Sequence, residues 1–233
     1  MRFDLSNLLG KVFDRLNPVC LLCAAPAGNG SLCTGCENDL PGAPFPSCPV
    51  CALPSLNGAM CGACLKKPPA YDRAIAAFSY AHPVDAMIQA LKYGGRFEFT
   101  PVLARALVAS IGQESRPDRV IAVPLDNQRL KERGFNQALE LAREAVKRLK
   151  LPVDASACRR IRPTAPQTGL PYSERAKNVR RAFACERDLS GEHVAIIDDV
   201  MTTGATLNEI ARVLKRAGAA QVSAWAVART LPR

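Results

Sequence analysis

Only two histidines occur in the chain, His82 and His193, and each stands isolated, so neither is assigned a catalytic role. Aromatic residues are scarce at 6%, which gives little support to a platform for stacking single-stranded bases. No stretch approaches ~20 consecutive apolar residues, so no membrane insertion is expected. Met1 to Asn17 carries Phe3, Leu5, Leu8, Leu9, Val12, Phe13 and Leu16 at helical spacing, interrupted by Asp4, Lys11, Asp14 and Arg15. It lacks a continuous apolar run with a small-residue cleavage site. A helix docking on the domain or on a partner is expected there, rather than a secretory signal, and the expected location is cytoplasmic.

Cysteine is plentiful. Eight of the ten cysteines fall in Cys-x-x-Cys pairs: Cys20/Cys23, Cys33/Cys36, Cys48/Cys51 and Cys61/Cys64. Such a turn points both sulfurs at one tetrahedral centre, and two turns complete a four-thiolate zinc site. Two structural zinc ions are expected, with sequential ligation: Cys20, Cys23, Cys33 and Cys36 on one ion, the remaining four on the other. A cross-braced arrangement is compatible with the same spacing. With all four positions closed, neither ion is expected to be catalytic. Cys158 and Cys185 have no partner at ligand spacing and read as buried or incidental thiols.

The most informative segment is Val194-Ala-Ile-Ile-Asp-Asp-Val-Met-Thr-Thr-Gly-Ala-Thr-Leu207. Val194 to Ile197 predicts a short strand of the buried, parallel-sheet kind. Asp198 and Asp199 follow at its C-terminal end, where α/β sheets bind ligands. Thr202, Thr203, Gly204, Ala205 and Thr206 then form a small-residue loop opening into a helical pattern. Free N–H groups at a helix start attract anions, and Gly204 lets the backbone approach closely. No Lys follows Gly204, so a Walker A phosphate loop is excluded. A phosphate fits the loop, and the adjacent acids suit vicinal hydroxyls or Mg²⁺. The combination describes a phosphorylated sugar.

Lys66-Lys-Pro-Pro69 reads as a stiff linker, separating a cysteine-rich module (1–69) from a second domain (70–233). Strands are expected over Ala74–Tyr80, Val120–Pro124 and Val222–Val227, with Trp225 in the core. Helices are expected from Val84 to Gly94-Gly95, over Pro101–Ile111 with Thr100 as cap, and over Asn136–Leu149 with Leu139, Ala142, Ala145, Val146 and Leu149 inward. Strands alternating with helices imply a doubly wound α/β sheet. Net charge is +10, and residues 126–187 hold fifteen basic against seven acidic residues. That block suits a polyanion, with a merely solvated basic surface as the plainer reading. Within it, Arg129, Lys131 and Arg133 alternate on what reads as an extended loop. Arg175 and Arg180 follow a proline- and glycine-bearing loop that starts at Arg162.

The acid pair with its Thr-Thr-Gly loop resembles the phosphoribosyl-pyrophosphate (PRPP) loop of type I phosphoribosyltransferases. With the double zinc ribbon, Leu91-Lys-Tyr93, Val123-Pro-Leu125, Arg133-Gly-Phe-Asn-Gln137 and the stretch Gln167 to Phe183, nearly the whole chain is similar to the ComF family, competence-associated phosphoribosyltransferase-like proteins. Asp126 departs from the pattern, standing where relatives usually carry His. The resemblance implies a type I phosphoribosyltransferase-like α/β fold and a link to DNA uptake in natural transformation. It also implies Asp198 and Asp199 on the ribose hydroxyls, Thr202–Thr206 on the 5′-phosphate, and Arg129, Lys131 and Arg133 on the Mg²⁺-bound pyrophosphate. Phosphoribosyl transfer is the enzymatic reading, with no residue assigned as catalytic and no acceptor legible. The alternatives are a non-catalytic protein binding single-stranded DNA, or an adaptor whose ribbons dock a helicase or motor.

Overall fold

The computed structural model describes residues 18–28, 30–112, 116–164, 171 and 174–231. The helix expected over Met1–Asn17 and residues 165–170 of the loop after Arg162 lie outside them. The chain forms two compact units, Met1–Leu40 and Pro41–Arg233. The second cysteine quartet therefore falls in the same unit as the α/β sheet.

The two quartets are copies offset by 28 positions, pairing Cys20 with Cys48, Cys23 with Cys51, Cys33 with Cys61 and Cys36 with Cys64. Cys20 N–H donates to the Ala25 carbonyl (2.7 Å) and Ala24 N–H returns to Cys20 (2.9 Å); Cys48, Leu53 and Ala52 repeat both bonds at the same lengths. Ala24 and Ala52 take positive φ angles of 59° and 55°. Cys33 and Cys61 then open short helices, α1 (Thr34–Asn38) and α2 (Gly62–Lys66).

Four parallel strands, β1 (Arg73–Ser79), β2 (Arg119–Ala122), β5 (His193–Met201) and β6 (Gln221–Arg229), make one sheet in the order β1-β6-β5-β2. Burial along β5 and β6 is continuous, as parallel strands require: Val194 to Ile197 and Ala224 to Ala228 are fully buried, Trp225 among them. Two main-chain bonds reach β1 from the ribbon region, Ala74 N–H to Pro49 (3.3 Å) and Ser79 N–H to Gly42 (2.9 Å).

The expected helices are present as α3 (Val84–Gly94), α4 (Thr100–Ile111) and α6 (Gln137–Leu149), with α8 (Ala205–Arg216) after the small-residue loop. Gly95, with φ 61°, ends α3 as the double glycine suggests. Thr100 is not a cap: it lies inside α4, with its hydroxyl buried and unpaired among the described residues. On α6 the inward stripe carries Leu141 rather than Leu139, because the face runs Ala138, Leu141, Ala142, Ala145 and Val146 at i, i+3, i+4 spacing.

Two further features were not expected from the sequence. Arg129, Lys131 and Arg133 lie on a helix, α5 (Asn127–Arg133), not an extended loop. The Asp126 carboxylate accepts from Gln128 N–H at 3.0 Å to start it, and Gly134 with φ 81° ends it. Further on, β3 (Cys158–Arg160) and β4 (Phe183–Cys185) form an antiparallel ladder that sets Cys158 opposite Cys185. Both remain free thiols, and burial pushes Cys158 up to about 12.

Candidate functional site

The strand carrying the acids is longer than its apolar core. β5 continues through Asp198 and Asp199 to Met201, with Asp198 opposite Ala226 and Val200 opposite Ala228 of β6. Asp199 is almost fully buried, and its Oδ2 meets Nζ of Lys92, in the last turn of α3, at 2.6 Å. Burial alone lowers an amine, but the Asp199 carboxylate outweighs it and holds Lys92 above the usual lysine range. Asp198 makes no ion pair among the described residues, though the Lys92 charge reaches it. Burial, then the neighbouring Asp199 charge, raise its carboxyl well above the ordinary range. The two acids thus differ: Asp199 is fixed in an ion pair, and Asp198 is a carboxyl whose ionised form the Lys92 charge compensates only in part.

Past Met201 the chain turns through Thr202 and Thr203 to Gly204, which precedes α8 with φ 75°. A Cβ there would lie 2.8 Å from Met201 Cε and 3.0 Å from the Tyr71 hydroxyl, so both backbone angle and packing require glycine. Thr203 Oγ1 accepts from Ala205 N–H at 3.1 Å. The first-turn amides of this twelve-residue helix, with its dipole, face the same end as the loop hydroxyls. An acid pair and an anion cradle are therefore separated by only Val200 and Met201 at the carboxyl end of a buried parallel strand.

Cations border this end. Arg129 Nη2 donates to the Thr164 carbonyl at 3.2 Å, and Arg160 Nη1 to the Thr164 hydroxyl, so two guanidinium groups converge on one residue. Arg160 also lies over the Phe183 ring at 4.9 Å, and its Nε is buried without a partner among the described residues. Burial and the adjacent Arg129 charge lower Arg160 from the usual arginine range, while Asp126 and Asp198 pull it the other way. A cleft of about 550 Å³ is lined by Pro124, Leu125, Phe135, Cys158 and Arg160; neither Asp198 nor Asp199 lines it. Of the other basic residues, Lys131 is exposed and Arg133 lies over the Tyr93 ring at 5.3 Å. Arg175 begins α7 (Arg175–Val179) and Arg180 is exposed just beyond it. His193 sits at the opposite end of β5 from the acids, bonded to Ser223 at 2.8 Å.

Each cysteine quartet gathers its sulfurs within 4.8 Å of one another, so ligation is sequential. Cys23–Cys33 and Cys51–Cys61 sulfur separations are both 3.7 Å. A zinc–sulfur bond of about 2.3 Å in a tetrahedron demands about 3.8 Å, so the donors fit the ion. Main-chain N–H groups point at the sulfurs, Cys61 N–H to Cys48 Sγ at 3.3 Å among them. Burial raises the Cys20 and Cys48 thiols, but such amides outweigh it and bring them to about 6 and about 7.

A double zinc ribbon domain model matches residues 15–65, and a phosphoribosyl transferase domain model matches residues 136–231. The chain is 39% identical over 173 residues to DNA utilization protein YhgH of Shigella flexneri, covering 72% of this chain and 76% of that one. It is 33% identical over 212 residues to Competence protein F of Haemophilus influenzae, covering 87% and 92%. The chain belongs to the ComF family. Among solved structures, a Bacillus subtilis glutamine PRPP amidotransferase aligns with 58% of this chain and 30% of its own, at 18% identity and a TM-score of 0.40. Two residues of this region are left out by spacing alone. Lys92, in Leu91-Lys-Tyr93, carries no signal on its own, since a lysine near a helix C-terminus is common; only the fold sets it against Asp199. Asp126 acts here as a helix cap. Arg160 had no sequence signal beyond membership of a basic block. No helix among the described residues is long and apolar enough to cross a membrane.

Proposed function

We propose that this protein binds PRPP with Mg²⁺ at the carboxyl end of β5 and transfers its phosphoribosyl group during DNA uptake or utilisation. One observation carries the reading: an acid pair at the end of a buried parallel strand runs directly into a Thr-Thr-Gly cradle at a helix start. Asp198 and Asp199 accept the ribose 2′- and 3′-hydroxyls. Thr202 to Thr206 donate to the 5′-phosphate through main-chain N–H and hydroxyl groups. Arg129 and Arg160, with Lys131 and Arg133 nearby, hold the pyrophosphate. Mg²⁺, when bound, neutralises charge on that leaving group. As the bond at ribose C1 breaks, negative charge grows on pyrophosphate and positive charge on the ring. Fixed guanidinium groups on one side and Asp198 on the other stabilise that separation without rearranging. The Arg160 Nε supports this, since a buried donor without an acceptor among the described residues suits an anionic ligand.

The zinc ions are structural in this reading, bound by the two cysteine quartets. The names of the ComF relatives support a role with DNA, and exposed Phe45, Leu56 and Leu65 on the second ribbon offer an apolar face to a helicase or motor partner. Pyrophosphate release from PRPP and Mg²⁺ across bases, amines and single-stranded DNA tests the enzyme reading. Release with no acceptor in the panel, combined with measurable PRPP binding, identifies a missing acceptor; absence of PRPP binding by calorimetry overturns the proposal.

A further inference from the structure

Arg229 connects the second cysteine quartet to the phosphate loop. It lies at the end of β6 and is 2% exposed. Its Nε donates to the main-chain oxygen of Cys51 at 2.9 Å. Its Nη1 donates to the Met201 carbonyl at 2.8 Å and to that of Thr202. A desolvated guanidinium needs acceptors in the plane of its fork, and here they include a zinc knuckle on one edge and the phosphate loop on the other, with the Thr230 carbonyl at 3.1 Å besides. Tyr71, 4% exposed, adds a second link, its hydroxyl filling the space beside Gly204. Ala70 N–H, just after the ribbon, donates to Asn208 of α8 at 2.6 Å.

We propose that the second zinc site is a positioning device for the ribose-phosphate loop, acting through Arg229. Four thiolates on an ion fix the backbone of Cys48–Cys51, and with it the Cys51 carbonyl. Loss of the ion frees that carbonyl. Arg229 must then find another acceptor or draw in water, and the Met201 and Thr202 carbonyls it holds lose their anchor. A phosphate cradle works only while its donors stay within about 0.5 Å of the required geometry. Arg229 is thus a positioning residue, not one that touches ligand.

The 28-residue repeat supplies the comparison. Cys20→Ser disables the quartet in the other compact unit; Cys61→Ser disables the second quartet without altering Cys51 itself. Arg229→Lys keeps the charge but not the fork. The primary readout is hydrogen exchange of amides 201–206 in ligand-free protein, with zinc content and global unfolding measured alongside. Cys61→Ser and Arg229→Lys are each expected to speed that exchange at least about tenfold, the lower end for losing hydrogen bonds to a charged group. Arg229→Lys should retain both zinc ions and the wild-type unfolding transition. Cys20→Ser should leave exchange in the loop within about twofold of wild type. Wild-type exchange in Arg229→Lys overturns the proposal, and so does equal loosening by Cys20→Ser and Cys61→Ser. If Cys61→Ser fails to fold, Arg229→Lys decides alone. Titration with ribose 5-phosphate, which rests on the proposed PRPP reading, should show weaker binding in the two loosened variants. Because exchange is read without ligand, failure of the phosphate assignment and failure of the coupling remain distinguishable.

Discussion

Lys92 separates two aspartates that look equivalent on the page. Its ammonium pairs with the buried Asp199, so Asp199→Asn strands a cation with only a fifth of its side chain exposed. That substitution is expected to destabilise the fold by about 2–3 kcal/mol, toward the low end for a broken buried pair. Adding Lys92→Met should recover most of the loss in a denaturant titration. Asp198 behaves oppositely. A carboxyl raised by burial and by Asp199 contributes favourably at low pH and loses that contribution as pH rises through its raised value. Asp198→Asn should therefore stabilise the ligand-free protein at neutral pH, with the gain vanishing on acidification. It should at the same time remove PRPP binding. An Asp198→Asn protein that melts below wild type at pH 7 would show that this carboxylate is compensated by something other than Lys92. At Gly204, substitution by Ala meets both a left-handed backbone and Met201, so a loss of about 1–2 kcal/mol is expected on thermal unfolding.

The elements differ in how plainly the chain announces them. β5, the Thr-Thr-Gly loop and α8 were legible because an apolar run, two acids and a glycine each carry a separate physical meaning in fixed order. The cysteine quartets were legible because ligand spacing is nearly invariant to its surroundings. The helix α5 was not, since Asp126 reads as an unhelpful charge until its side chain is seen to cap Gln128. Nor was the β3–β4 ladder, whose strands are three residues long and pair across more than twenty intervening positions. Arg160 and Lys92 depend on that tertiary assembly, which no local pattern encodes. Two predictions belong at this scale. Purified protein should hold close to two zinc ions, and Cys20→Ser close to one; a single zinc in intact protein would remove one quartet as a metal site. Asp126→Ala should cost about 1 kcal/mol through the lost cap, whereas Asp126→Asn should be nearly neutral in the same melt.

Across the whole molecule, the positive charge is less available than the composition suggests. Arg143, Lys147, Arg148, Arg159 and Arg187 are all in ion pairs with acids of the same block. If the block contacts DNA, Arg175 with Arg180, at and just beyond α7, is the pair to change. Each phosphate contact adds about −0.9 (duplex) or −0.7 (single strand) to the slope of log affinity against log salt. Arg175→Ala with Arg180→Ala should flatten that slope by roughly 1.5; an unchanged slope in a binding protein would place the DNA elsewhere. A different consequence follows from the two main-chain bonds that β1 amides donate to the Gly42 and Pro49 carbonyls. β1 is the outermost strand, and an outermost strand with open amides templates the addition of foreign chains. The ribbon that looks like an appendage is therefore a selvage on the sheet. A chain begun at Ala70, where composition changes, would leave that border raw and should precipitate as it is expressed. One begun at Pro41 would keep its hem and stay in solution.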